Sequence, residues 1–296
     1  MIKRNVKILF MTLFMICHLF EILAQVSVKQ LVGKLEWDTI HLAVGLTWEH
    51  VHSRDSILFN SKQNINILRI QKNSNTLALG VARTGPDGGT LTSTLAKQHN
   101  ALAAINASFF NVKTGQSVNF IKQHGHILDT TVVNNSKYSS HQMGIFAFNG
   151  SNAEILLRDT SQGKLWDKNI RWENVIESGP LLIMKNMKMP LDYNPFNQNR
   201  HPRTCACITQ DDILFFTIDG RTNEAYGLNL FELTDFLLAF DCIDAINFDG
   251  GGSTTMYIKD FGASGIVNMP CDNRLFDHMG ERKVSNAIII KESSKN

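Results

Sequence analysis

The sequence predicts an α+β fold, a mixed β-sheet core with packed helices in a single domain. Three observations predict it. Short apolar or alternating runs, bounded by Asn, Gly, Ser and Asp, recur along the chain and outnumber helical patterns, which is how strands read. One stretch, 230–240, repeats its apolar side chains at three- and four-residue spacing, the period of a helix with one buried face. It leads into an apolar run, 243–248, and then into Asp249-Gly250-Gly251-Gly252-Ser253-Thr254-Thr255. A helix, a buried strand and a glycine-rich loop thus follow one another.

Taken in order, residues 1–24 read as a signal peptide. Lys3, Arg4 and Lys7 precede an apolar run over 8–19, and Ile22-Leu23-Ala24 stands before Gln25. The run is shorter than the roughly 20 residues a membrane span needs, so cleavage after Ala24 and export are expected, with no span left afterwards. Residues 25–64 read as a polar lead-in with a few strands, carrying Trp37, Trp48 and His50-Val51-His52. Residues 65–296 form the main domain. Strands are expected at 65–70, 76–82, 101–105, 144–148 and 153–157. A helix is expected at 91–99 with Thr90 as its cap. His124-Gly125-His126 reads as a hairpin tip rather than a metal site, because no carboxylate run accompanies it. In the helix 230–240, Leu230, Leu233, Phe236, Leu237 and Phe240 form the apolar face, Asn229 is the cap, and Glu232 completes a capping box.

Composition narrows the function classes. With 43% hydrophobic and 19% charged residues among 296, a disordered, collagenous or multi-pass membrane chain is excluded. Removing Lys3, Arg4, Lys7 and Glu21 from the 29 basic and 27 acidic residues leaves 26 of each. Nucleic acid is therefore set aside as a partner, since phosphate neutralisation needs a basic surplus. Cleavage also removes Cys17 and leaves Cys205, Cys207, Cys242 and Cys271, which in an exported chain allow three disulfide pairings. Cys205 and Cys207 share one face of a strand and are poorly placed to bridge each other. Structural disulfides or buried thiols are expected, since CxxC spacing for zinc is absent.

Chemistry concentrates in three places. The loop after Phe248 carries three glycines, whose amides can cradle an anion with Ser253, Thr254 and Thr255 as further donors; it lacks the Gly-Lys-Ser/Thr ending of a Walker loop. Arg200-His201-Pro202-Arg203-Thr204 enters an apolar strand at Cys205, and the planar fork of Arg203 suits phosphate or carboxylate. Phe215-Phe216-Thr217-Ile218-Asp219-Gly220-Arg221 delivers an acid and a guanidinium at a strand end, a frequent site position. Glu177-Ser178-Gly179-Pro180 reads as a turn whose serine and amides can line a pocket. No GxSxG elbow is present, so a serine hydrolase is not expected.

These runs, together with Asn106-Ala107-Ser108-Phe109-Phe110, Gly227 through Glu232-Leu233, and Arg282-Lys283-Val284-Ser285-Asn286-Ala287, stand in the order seen in the phosphodiester glycosidase family. The chain resembles that family over about residues 65–290. It departs where Ala107 follows Asn106 in place of glycine, where Cys205 and Cys207 replace Ala and Gly, and where Asp241 takes a glycine position after the helix.

The resemblance implies hydrolysis of a glycosyl-1-phosphodiester, releasing a sugar and leaving a phosphomonoester. Such a substrate needs cationic or amide donors at the phosphate and a carboxylate at the anomeric carbon. The expected phosphate ligands are Arg203, Arg221 and the amides of Gly250, Gly251 and Gly252. Asn106 is expected at a sugar hydroxyl, and Ser178, Gly179, Thr204, Ser253 and Thr254 complete the substrate-binding set. Asp249 is the first choice as nucleophile or base, with Asp219 and Glu232 as alternatives for a second carboxylate. No cofactor is required, and a divalent cation at Asp219 or Asp249 is compatible with this chemistry. The other readings are a phosphodiesterase attacking phosphorus and a non-catalytic module binding an envelope glycan.

Overall fold

The computed structural model describes residues 27–85, 88–133, 137–163 and 165–293; the expected signal peptide, 1–24, lies outside them. An eight-stranded sheet forms the centre. Its strands run in the order Asp38–Ala43, Leu46–Ser53, Gln63–Gln71, Asp212–Ile218, Arg203–Ile208, Asp244–Asn247, Leu181–Met184 and Met187–Lys188. A five-stranded sheet holds Asn152–Leu157, Gly144–Asn149, Asn174–Ser178, Ile121–Gln123 and His126–Asp129, and a four-stranded one holds Met256–Ile258, Ala103–Asn106, Asn286–Glu292 and Leu77–Arg83. The α+β class is as expected. The mixed sheet is narrowed, because neighbouring strands in all three sheets pair antiparallel. The strands of the expected 25–64 lead-in belong to the central sheet, since Leu46–Ser53 pairs along its full length with Gln63–Gln71, which itself runs across the expected boundary at 64/65.

Both faces of the middle of the central sheet are covered, and its inner strands Arg203–Ile208 and Asp212–Ile218 are buried almost throughout. On strand Arg203–Ile208, Cys205 and Cys207 face one apolar cluster with Phe216, Leu230, Leu233 and Phe236, while Ala206 and Ile208 face another with Phe146, Phe215, Phe248 and Ile288. Helix Leu230–Leu238 covers the first face, and the two smaller sheets cover the second. Phe216, Phe236 and Phe240 meet edge to face at centroid separations of 5.0–5.9 Å. Phe216 and Phe236, fully buried, each contribute about 1.5–3 kcal/mol through burial.

The helix carries the expected capping box: Glu232 N donates to Asn229 Oδ1 at 2.8 Å, and Asn229 N to Glu232 Oε2 at 3.1 Å. Asp241, at the family's glycine position, has φ of 58° and is held by an ion pair with Lys29 at 2.6 Å. A disulfide joins Cys207 to Cys242, and Cys205 and Cys271 are buried free thiols. One cap expectation is corrected. The helix spans Thr92–Gln98, and Thr90 instead pairs with Val284 and spends its hydroxyl on Thr84. Glu281 takes over the cap, accepting from Ser93 N at 2.7 Å and Ser93 Oγ at 2.6 Å. The His124-Gly125-His126 run turns the hairpin between Ile121–Gln123 and His126–Asp129, with His124 and Gly125 at positive φ.

Candidate active site

Four neighbouring strands of the central sheet bring the expected segments to one end. Register pairs Arg203 with Ile218, Cys205 with Asn247, and Leu181 with Ile246. Pro180, Arg203, Asp219 and Asp249 therefore share an edge. There a cavity of about 180 Å³ opens. It is lined by the glycine loop, by Arg221, Arg282 and Arg203, and by Asp249, His201 and Phe196.

Two glycines are required by close approach. A Cβ on Gly251, which has φ of 63°, would stand 3.0 Å from Arg221 Nη2, and one on Gly252 would stand 2.4 Å from Arg282 Nη2. Both guanidinium groups thus lie directly on the loop backbone. Arg282 is fixed by Asp272, which accepts from Nε at 3.0 Å and from Nη2. Arg221 Nη2 lies 3.4 Å from His201 Nδ1. Guanidinium only donates, so this contact makes Nδ1 the acceptor and leaves the proton of neutral His201 on Nε2. Burial and the nearby Arg203 and Arg221 charges hold the His201 imidazole below its ordinary range.

Asp249 is the carboxyl in the cavity wall. Burial pushes it up to about 6, against the Ser253 hydroxyl, the Arg282 charge, the Gly250 amide and the Arg221 charge, which pull it down. Its main chain is clamped: Asp249 N donates to Ala107 O at 2.9 Å, and Asn106 Nδ2 donates to Asp249 O at 2.6 Å.

Several expected residues have other work. Asn106 is buried, and its Oδ1 accepts from Thr204 Oγ1 at 2.8 Å and Thr255 N at 3.0 Å. Both ends of its carboxamide bond to protein, and Thr204 donates to Asn106, so the residue's visible role is to tie segments together. The Gly251 amide donates to Pro202 O at 2.8 Å and the Gly250 amide turns to Asp249, which leaves Gly252 as the candidate amide of the three. Arg203 lies in the wall but is buried, with Nε donating to Leu228 O and Nη2 to Phe196 O and Asn199 O. Burial, then the Arg221 charge, lowers it to about 9.

Asp219 and Glu232 stand away from the cavity. Asp219 is fully enclosed and accepts from Asn268 Nδ2 at 2.8 Å, Asn64 Nδ2 at 2.7 Å and Met269 N at 2.9 Å. Burial raises it, and amide donors meet both of its oxygens. Glu232 is shared between the helix cap and Arg200, whose Nε donates to both its oxygens at 2.9 and 3.1 Å. Ser178, Ser253 and Thr254 are buried. Gly179 presses on another segment, since a Cβ there would stand 2.2 Å from Ser140 O. Sequence reasoning missed the wall positions of His201, Phe196 and Arg282. Arg282 and His201 stood within quoted runs, but nothing local marks Phe196.

The cavity thus sets the Asp249 carboxyl among guanidinium groups and a glycine loop, at the strand ends of a covered antiparallel sheet. Residues 99–291 match the phosphodiester glycosidase family, and the chain belongs to it. N-acetylglucosamine-1-phosphodiester alpha-N-acetylglucosaminidase from Mus musculus is 26% identical over 200 residues, and the Homo sapiens enzyme 25% over 208, matches covering 64% and 67% of this chain. These matches span only 37% and 39% of the curated relatives' length. The fold is also that of the zebrafish catalytic domain of the same name (TM-score 0.65, 18% identity, 87% of this chain and 88% of that one). A crystal structure from Synechocystis shares it too (TM-score 0.64, 14% identity, 86% of this chain and 63% of that one).

Proposed function

We propose that the chain is an exported hydrolase that releases a sugar from a glycosyl-1-phosphodiester, with N-acetylglucosamine as the first sugar to test because the relatives are named for it. The observation that carries this reading is Asp249 lying between Arg221 and Arg282 in one cavity. The guanidinium groups and the Gly252 amide bind the diester and neutralise charge on the departing phosphomonoester. Asp249, ionised above about 6, attacks or activates water at the anomeric carbon as it becomes oxocarbenium-like. A phosphomonoester leaves as a stable anion, so this scheme asks for no second carboxylate, consistent with the positions of Asp219 and Glu232 away from the wall. Export rests on the basic and apolar character of residues 1–24. Among the described residues no helix is long and apolar enough to cross a membrane.

Hydrolysis of an alpha-GlcNAc-1-phosphodiester in oxygen-18 water tests the reaction. Label in the released sugar is expected. Label in the phosphate would mean attack at phosphorus and would overturn the scheme.

A further inference from the structure

We infer that the bay formed by Phe109, His141 and Phe196 beside the cationic cavity is a pyranose-binding subsite, with the aromatic rings packing on the apolar face of the sugar and the imidazole hydrogen-bonding one of its hydroxyls. The choice of a sugar as occupant rests on the glycosidase reading above; the bay itself does not.

The three rings form a contiguous group. Phe109 and His141 lie 4.2 Å apart between centroids, His141 and Phe196 4.6 Å, and Phe109 and Phe196 6.2 Å. All three are partly exposed rather than sealed in a core, and Phe196 also lines the cavity that holds Asp249. The bay therefore abuts the place where the anomeric carbon has to sit. A pyranose presents C–H groups on its faces and hydroxyls around its edge, so it needs an apolar wall with a few placed polar groups. The rest of the cavity is guanidinium, carboxyl, the His201 imidazole and loop backbone, which suits phosphate. Asn106, the residue expected to hold a sugar hydroxyl, is tied to the Asp249 loop.

Each ring is positioned by groups tied to the reaction centre. Phe109 is two residues beyond Ala107, whose carbonyl accepts from Asp249 N. Phe196 lies on the short helix Pro195–Gln198, capped by Asn194. The Arg203 guanidinium stands 4.9 Å from its ring centroid and donates to its carbonyl. His141 turns Nδ1 toward the Gly179 carbonyl at 3.5 Å. A carbonyl only accepts, so the proton of the neutral ring belongs on Nδ1, and Nε2 becomes an acceptor for a hydroxyl. Burial, and then the Arg203 charge, lowers the imidazole and keeps it neutral, against the pull of that carbonyl contact.

The test needs no turnover. Binding of methyl α-N-acetylglucosaminide, a neutral sugar without phosphate, is followed by saturation-transfer NMR on the mature chain, and binding of inorganic phosphate by phosphorus-31 line width. The wild-type protein is expected to saturate the ring protons of the glycoside. Phe109→Leu, which keeps volume and loses the aromatic face, and Phe196→Ala are expected to weaken it at least tenfold, while Phe196→Tyr retains it. Phosphate binding is expected to be unchanged in Phe109→Leu, with thermal melting confirming that each variant is folded. The subsite is overturned if the wild-type protein does not bind the glycoside, if Phe109→Leu binds it as well as wild type, or if sugar and phosphate binding fall together in Phe109→Leu. Sugar binding without hydrolysis of any glycosyl phosphodiester would sink the proposed reaction and leave the subsite standing.

Discussion

Asn106 donates through Nδ2 to the main-chain carbonyl of Asp249 at 2.6 Å, and this bond joins the end of one sheet to the reactive loop of another. Its other atom, Oδ1, gathers Thr204 and Thr255, so one carboxamide sets the position of three segments. Asn106→Asp replaces the donor with an acceptor facing a carbonyl. We expect it to lower stability by about 1–3 kcal/mol, the cost of unsatisfied buried groups, and to reduce kcat. Chemical denaturation followed by single-turnover kinetics on the folded fraction checks both.

Asp249→Asn is expected to lower kcat by roughly 10³-fold or more, the scale of losing a reacting group, while the fold is kept. The acidic limb of the wild-type rate profile should fall as pH drops through about 6, because the protonated carboxyl neither attacks nor activates water. The stability sign is the opposite. The folded pKa lies above the ordinary 3.8, so the contribution of this group is full below about 3.8 and is lost as pH rises through about 6. The variant should therefore melt higher than wild type at pH 7. Near-normal turnover in a folded Asp249→Asn protein would remove Asp249 from the mechanism.

Glu232→Gln separates capping from catalysis. It removes the ion pair with Arg200 but retains an oxygen for the Asn229 amide, so a loss of about 1–2 kcal/mol is expected. Turnover at saturating substrate should be unchanged. A large drop in kcat with an unchanged pH profile of the remaining activity would return Glu232 to the reaction.

Gly252→Ala places a Cβ where Arg282 Nη2 and Asp272 Oδ1 now lie, at 2.4 and 2.5 Å. Arg282 must move, so KM for a phosphodiester is expected to rise about tenfold, equivalent to about 1.4 kcal/mol of lost binding. The sugar affinity of the aromatic bay should be unaffected. Isothermal titration with inorganic phosphate reads the loss directly.

Cys207→Ser opens the disulfide that closes a 35-residue separation. A loss of about 3 kcal/mol is expected, with a lower Tm and little change in kcat, since the bridge lies on the helix-covered face. Dithiothreitol should lower the wild-type Tm in the same direction and leave that of the variant unchanged.

The parts of the fold that sequence reveals are those fixed by near neighbours. The helix Leu230–Leu238 announces itself through its own periodicity, and its cap partners stand three residues apart. The loop after Phe248 announces itself by its glycines. The tethering bonds of Asn106 are not legible in the sequence, because its partners Thr204, Asp249 and Thr255 are 98, 143 and 149 residues away and only the folded chain brings them to one carboxamide. The same holds for Glu281, which caps a helix 188 residues earlier in the chain. Arg203 has the residue type of a phosphate ligand and lines the cavity, yet its Nε and Nη2 are held by the carbonyls of Leu228, Phe196 and Asn199. Composition cannot tell which of those acceptors a guanidinium will meet.

The pairing of Gln63–Gln71 with Asp212–Ile218 over seven residue pairs bears on how the protein can be produced. A recombinant fragment trimmed to the family match, 99–291, would strip this partner and strand Leu77–Arg83 from two sheets. It would uncover Phe215, Ile213 and Ile288, all fully buried in the intact chain, along two long unpaired edges. Such edges template association between chains, so the short fragment should collect in inclusion bodies, and a soluble preparation should begin before Asp38.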